Sequence, residues 1–173
     1  MANTDKPMGF VPVNPDARIR TYPLASANSE ILRGDVVEMP AAGYVSEMSG
    51  GGSTPMLGIA AGYVAANSGG NLPVWDDPNE IFKCQLDGDS TALTVADLGR
   101  CFQHIQTHTS TNGVDSADEL DQSSNATTAT HTFKLVGLVD EMDLEAGAPN
   151  AWGNHAKVLV QPNFHRLRST TGI

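Results

Sequence analysis

Residues 131–139 read HTFKLVGLV, which is the strongest strand pattern in the chain. Phe133, Leu135 and Val139 fall on one face of an extended segment, because successive side chains of a strand point to opposite faces. The pattern therefore predicts a strand with one apolar face. Short strands of the same kind are predicted on both sides of it.

These further strands are short and are separated by turn signals. Residues 80–86 alternate between two faces, and residues 155–162 form the last predicted strand. In the segment 56–64, Gly58 and Gly62 predict a bulge or a close approach of another backbone. No helical stripe runs longer than about two turns. The sequence predicts an all-β fold, either a small antiparallel β-barrel or a sandwich.

Residues 1–33 are predicted to form an extended N-terminal arm. Its repeated prolines exclude a helix, because each one removes a backbone donor and restricts φ. The segment nevertheless carries apolar side chains that a solvated linker does not need, namely Met8, Phe10, Val11, Val13, Ile19, Tyr22 and Leu24. We expect the arm to lie along another surface, either that of its own domain or that of a neighbouring chain.

Charge is unevenly distributed between this arm, a body predicted over residues 34–165 and a short C-terminal tail, residues 166–173. The formal net charge is −10, and the acidic residues lie mostly in the body. Such a body repels nucleic acid, so no nucleic-acid partner is expected. The arm and the tail are slightly basic. This asymmetry indicates that the ends meet a partner while the body faces solvent, although chance clustering explains it equally well.

Motifs of the common enzyme classes are absent from the sequence, which contains no P-loop, GxGxxG, GxSxG or HExxH pattern. His104 and His108 have the spacing of a helical metal pair, but a strand running into a loop would hold them roughly 13 Å apart. The segment from Asp87 begins like a calcium loop but has Ala92 and Leu98 where that loop needs Gly and Glu. We expect no enzyme activity, no metal and no cofactor.

The cysteine content and hydropathy indicate the compartment. Cys84 and Cys101 are too few for a disulfide scaffold and are expected to be buried thiols. The opening residues lack the apolar core of a signal peptide. No apolar run reaches the roughly 18 residues of a membrane span, so no membrane partner is expected. We expect a chain kept in the cytosol, or in a particle assembled there.

Residues 74–82, VWDDPNEIF, are the most distinctive of several segments that resemble one protein family. Other segments are individually weaker matches. They are the opening residues 1–13, the pair formed by residues 34–37 and 56–62, and the C-terminal segments 121–130, 133–139 and 155–160. Together they cover most of residues 34–161. The chain resembles the capsid decoration, or head cement, proteins of tailed bacteriophages.

The resemblance implies a structural virion protein with a β-barrel-like body and no catalytic residues. It would sit on the outer capsid surface and cement neighbouring subunits of the major capsid protein. We also expect copies of the chain to associate, as a homotrimer first and a dimer alternatively, because cyclic interfaces cover open strand edges. The candidate capsid-contact residues are Phe10, Val11, Val13, Arg18, Arg20, Tyr22, Arg166 and Arg168.

Trp75 and Trp152 leave a second function open, that of a carbohydrate-binding or host-attachment module on the virion surface. Each lies beside polar turn residues and offers a ring on which a sugar can stack. The plainer explanation is that each tryptophan covers one end of the β fold. A hydrolase with dispersed carboxylates is the third alternative.

Overall fold

The computed structural model describes residues 3–51, 54–89, 92–107, 110 and 112–168. Within these ranges the regular elements are β-strands and two 3-10 helices, Val95–Asp97 and Arg166–Arg168, without an α-helix. The predicted all-β class is confirmed. The strands are β1 Val11–Pro12, β2 Ile19–Pro23, β3 Val36–Glu38, β4 Ser46–Glu47, β5 Met56–Ala60, β6 Asn71–Trp75, β7 Phe82–Gln85, β8 Cys101–Ile105, β9 Glu119–Ala126, β10 Phe133–Leu138, β11 Met142–Asp143, β12 Ala148–Pro149 and β13 Lys157–Pro162.

The strands form two main antiparallel sheets. One has six strands in the order β1-β7-β13-β10-β8-β9, and the other has five in the order β2-β6-β5-β3-β4. Strands β11 and β12 form a separate hairpin. Among the described residues the six-stranded sheet does not close into a barrel, since only a single bridge joins Leu86, just after β7, to Leu120 of β9. Of the two predicted architectures, the sandwich agrees with the structure.

The main core lies between the two sheets. Phe133 and Leu135, which the alternation placed on one face of β10, are both fully buried there. Val36 and Ile59 contribute from the five-stranded sheet. Phe10 enters the same core from the N-terminal segment, and its ring stacks on Phe133 with the centroids 4.5 Å apart.

Strand β5, at the centre of the five-stranded sheet, is buried on both faces. Strand β5 has no exposed residue, and Met56 belongs to the main core while its neighbour Leu57 belongs to a second core on the other face. Leu24 and Ile31 of the N-terminal segment close that second core. Alternating side chains of one strand thus serve two cores, as the period of a strand requires.

The N-terminal segment is extended, as predicted, but residues 3–33 are built into the sandwich. Strand β1 pairs with β7, and β2 pairs with β6. The sequence predicts a boundary between an arm, residues 1–33, and a body, residues 34–165. The described structure has no such boundary, because strand pairing and the two cores include residues from both sides of it. Of the tail predicted over residues 166–173, the structure describes Arg166–Arg168 as a 3-10 helix, and residues 169–173 lie outside the described ranges.

Gly58 makes the close approach to another backbone that the glycines of the segment 56–64 predict. A Cβ atom at this position would lie 2.2 Å from the carbonyl oxygen of Trp75 in β6. Gly58→Ala should therefore push β5 and β6 apart and lower the free energy of unfolding by about 1–3 kcal/mol in urea denaturation. Gly137→Ala is the control, since its Cβ would meet Leu159 at an ordinary 3.6 Å. Equal losses in both variants would contradict this steric explanation.

Candidate interaction surface

Exposed apolar side chains line one edge of the six-stranded sheet. Val11 is 40% exposed, Val13 is 55% exposed and Ile81 is 38% exposed. The backbone N–H of Val13 donates to the carbonyl oxygen of Ile81 at 2.9 Å, so these residues lie side by side. Alternation along the strand buries Phe10 and turns Val11 and Val13 outward. We call Val11, Val13 and Ile81 the apolar edge.

A groove of about 890 Å³ lies between this edge and the β11–β12 hairpin. Met8 and Val11 line it from the N-terminal segment, and Met142 and Leu144 line it from the hairpin. Leu144 is 89% exposed, more than any other large apolar side chain that the structure describes. Apolar side chains therefore lie at the rim on both sides of the groove, together with the exposed ion pair of Lys6 and Glu145.

Ion pairs cross the groove beneath this rim. Glu141 accepts hydrogen bonds from Lys83 Nζ at 3.2 Å and pairs with Lys157 Nζ at 3.0 Å. Partial burial favours the neutral form of Glu141, but the hydrogen bonds from Lys157 and Lys83 hold its pKa below the ordinary value. Arg33 pairs with Asp115 at another part of the wall. These charged side chains are therefore paired within the chain, and the exposed apolar side chains are the feature that distinguishes the surface.

Asp143 ties the N-terminal segment to the hairpin. One carboxylate oxygen accepts a hydrogen bond from the backbone N–H of Thr4 at 2.8 Å, and the other accepts from the N–H groups of residues 145 and 146 at 3.1 Å. The buried side chain of Gln85 accepts from the N–H of Lys6 at 2.7 Å and donates to the carbonyl oxygen of Thr4. Both walls of the groove are thus held in place by buried or half-buried polar groups.

These backbone hydrogen bonds lower the pKa of Asp143 to about 2 from 3.8. A depressed carboxyl pKa stabilises the fold above the ordinary value, and that contribution is lost as the pH falls from about 4 toward 2. We therefore expect the amide NMR signal of Thr4 to titrate with a midpoint near 2. Asp143→Asn should abolish this titration, and a wild-type midpoint near 3.8 would contradict the assignment.

Three of the predicted contact residues meet around Asp76, which is fully buried. Arg18 Nε donates to Asp76 Oδ1 at 2.9 Å, and the hydroxyl of Tyr22 donates to Oδ2. Arg20 Nη1 lies 3.4 Å from the same Oδ2 atom. Partial burial and the hydrogen bond to Asp76 raise the pKa of Tyr22. Arg18 and Arg20 therefore both pair, within the chain, with the one carboxylate of Asp76.

The two predicted contact residues of the tail are also engaged within the chain. Arg166 donates to the carbonyl oxygen of Met39. Arg168 donates to the carbonyl oxygen of Pro162 at 3.2 Å and to the side chain of Asn79. Each of these arginines therefore has a structural role that the sequence pattern does not reveal.

The set of candidate contact residues is corrected at Phe10. Its side chain is fully buried against Phe133, so it is not available to a partner in this fold. Val11 and Val13 keep exposed side chains. The candidate contact residues did not include the exposed Ile81 and Leu144. The sequence holds a signal for each, since Ile81 alternates with buried Phe82 and Leu144 is an isolated leucine in an acidic segment.

The remaining residues singled out in the sequence have structural surroundings. Cys84 and Cys101 are buried free thiols, as predicted. His104 is buried and contacts the carbonyl oxygen of Met48 through Nε2, and burial lowers its pKa to about 4. His108 lies outside the described residues, as do residues 90–91 of the segment that resembles a calcium loop.

Both tryptophans are partly buried and pack against the main core. Trp75 also lines the groove. The plainer expectation for Trp75 and Trp152, that each covers part of the β fold, agrees with this packing. The exposed face of Trp75 remains accessible from the groove side.

Comparisons of the chain with known proteins add no relative. In the described part of the chain, no helix is long and apolar enough to cross a membrane. No protein-family model, curated protein or solved structure matches this chain.

Proposed function

We propose that this chain is a non-enzymatic structural protein of a bacteriophage virion. It binds the outer surface of the capsid and cements neighbouring subunits of the major capsid protein. The resemblance of residues 74–82 and the weaker matching segments support the family. The observation that carries the binding role is the apolar edge, in which Val11, Val13 and Ile81 expose branched side chains on a paired backbone.

A paired backbone makes this edge a favourable contact surface. Because Val11 is already held opposite Lys83 of β7, docking need not order the chain at that point. Burial of apolar side chains contributes about 25 cal/mol per Å² before the costs of association. Strand β1 has two residues and includes Pro12, which lacks an N–H, so side-chain packing is favoured over extension of the sheet.

The charge and the expected copy number fit the same role. A net charge of −10 keeps decorated particles apart in solution. Many weak contacts on one shell raise the overall avidity by orders of magnitude. We expect association of copies as a homotrimer, with a dimer as the alternative.

The test compares capsids assembled with and without this protein by electron microscopy. Shells that carry the chain should show projecting density, which is missing from shells made without it and returns when purified protein is added. Identical shells in both preparations would refute the proposal. Shells that carry the chain should also withstand heating better.

Carbohydrate binding is the alternative function, and one observation favours it: Trp75 lines a groove that also holds charged side chains such as Asp115 and Glu141. A glycan array separates the two functions. A capsid cement protein should bind no glycan, whereas a host-attachment module should bind at least one. Trp75→Ala should then abolish that binding.

A further inference from the structure

Three carboxylates meet where one edge of each sheet comes together. Asp35 directly precedes β3, Glu47 belongs to β4 and Asp118 directly precedes β9. One oxygen of each lies within 4.8 Å of an oxygen of the other two. Strands β4 and β9 are the outermost strands of their sheets. We call Asp35, Glu47 and Asp118 the edge acid cluster.

Two members of the cluster are deeply buried, and one oxygen of Asp118 carries the cost of that burial. Asp35 is 2% exposed and Asp118 is 1% exposed. Asp118 Oδ1 accepts a hydrogen bond from the N–H of Thr107 at 2.9 Å. Asp118 Oδ2 is buried and has no hydrogen-bond partner within the part of the chain that the structure describes. An unpartnered buried carboxylate oxygen is strongly unfavourable, and a bound cation would satisfy it.

The electrostatic surroundings of Asp118 agree with this geometry. Burial raises the pKa of Asp118 to about 7, and the nearby carboxylates of Asp35 and Glu47 add to the effect. Three carboxylates this close repel one another, and a cation shared between them removes that repulsion. A metal ion offers several bonds at once, whereas a proton satisfies one oxygen.

A small cavity gives access to the cluster. It has a volume of about 70 Å³ and is lined by Ser29, Glu30, Leu32, Asp35 and Glu47. Ser29 and Glu30 are exposed, so the cavity reaches the surface. Since each water takes about 30 Å³ in the liquid, there is room for roughly two waters beside the carboxylates.

We propose that the edge acid cluster binds one Ca²⁺ ion through carboxylate oxygens of Asp35, Glu47 and Asp118, with waters of the cavity completing the coordination. Ca²⁺ prefers oxygen ligands at about 2.3–2.6 Å, so two ligands on opposite sides of the ion lie about 4.6–5.2 Å apart. The oxygens of the cluster all lie within 4.8 Å of one another, close enough to share one ion. Mg²⁺ demands near-ideal octahedral geometry and dehydrates reluctantly, so a site built from three protein carboxylates favours Ca²⁺.

The bound ion would join the two sheets at their outer strands. Asp35 and Glu47 belong to the five-stranded side, and Asp118 belongs to the six-stranded side. A ligand that binds only the folded state stabilises it by mass action. The sandwich should therefore be more stable with Ca²⁺ than without it. This inference does not depend on the proposed capsid role, because it is tested on the purified chain.

The test uses the full chain after removal of metals with EDTA. Titration calorimetry with CaCl2 should give one site per chain, with an affinity at least about tenfold higher than for MgCl2. The melting temperature should rise with Ca²⁺ concentration. If about 1 mM Ca²⁺ produces neither binding heat nor a shift in melting temperature, the proposal is overturned, since that is the weak end of protein calcium sites.

Substitutions test which carboxylates bind the Ca²⁺ ion. Asp118→Asn keeps the shape of the side chain, removes its charge and should weaken Ca²⁺ binding at least about tenfold. Glu47→Gln, at a less buried position, is the second variant and should do the same. Glu38→Gln is the matched control, since this half-buried carboxyl of β3 lies outside both groups of carboxylates that could hold an ion. A Ca²⁺ response that survives both cluster variants, or that is lost only in Glu38→Gln, would overturn the assignment.

Discussion

Replacing Phe10 with alanine is expected to lower the free energy of unfolding by about 3–5 kcal/mol. The ring is fully buried in the main core and stacks on Phe133 with an interplanar angle of 9°. Its removal leaves a cavity between the two sheets, and a close-packed core fills such a space only in part. Urea denaturation of the full chain measures the loss as a shift of the midpoint at constant slope.

Val13→Ala is the matched control for Phe10→Ala. It lies on the same segment but exposes 55% of its surface, so its loss should stay below about 0.5 kcal/mol. If both variants lose equally little, the N-terminal segment is not part of the fold. A large loss only for Phe10→Ala also implies that removal of residues 1–30 unfolds the sandwich, because the deletion takes away β1, β2 and part of both cores.

The second large effect is expected on capsid binding. The double variant Val11→Asp, Val13→Asp should bind shells at least about 100-fold more weakly. Burying an unpaired carboxylate in an interface costs several kcal/mol, and about 2.8 kcal/mol already corresponds to 100-fold. Both side chains point outward from β1 or from the residue just after it, so the fold should be kept. Co-sedimentation with undecorated shells measures the change in affinity.

Val95→Asp is the control for this loss of binding. Val95 is 63% exposed and belongs to the 3-10 helix that precedes β8, away from the apolar edge. It adds one of the two negative charges that the double variant adds and should leave binding unchanged. Wild-type binding by the double variant, or an equal loss in Val95→Asp, would show that the apolar edge is not the contact surface.

Local alternation was sufficient to predict three strands of the six-stranded sheet, but not β9, which lies in a segment rich in Ser, Asn and Asp. Residues 80–86, 131–139 and 155–162 contain β7, β10 and β13, because the period of two is a property of the segment itself. Their spatial order was not predictable in this way. Strand β13 lies between β7 and β10, and that pairing depends on contacts between distant parts of the chain. For the same reason the sequence left barrel and sandwich as alternatives.

The N-terminal segment shows the same division between local and distant information. Its prolines predict an extended backbone, and residues 3–33 are extended. The prolines do not tell whether an apolar side chain such as Phe10 packs against its own domain or against another chain. That depends on the strand with which the segment pairs, here β7. The alternation of buried Phe10 and exposed Val11 was readable in principle, but only once the pairing of β1 was known.

The candidate sites were harder to predict than the strands. Arg18 and Arg20 look like free basic residues in the sequence, since their partner Asp76 lies far along the chain. The edge acid cluster is also assembled from distant residues, as Asp35 and Asp118 come from different sheets. Each acid lies within an ordinary strand or directly before one, and nothing in its neighbourhood marks it as a ligand.

An averaged electron-microscopy map of capsids that carry this protein tests the capsid role and the contact surface together. We expect the sandwich on the outer surface of the shell, with Val11, Val13 and Ile81 packed against the major capsid protein. A map that places these three side chains in solvent, or that shows no density for the chain outside the shell, would contradict the proposed contact.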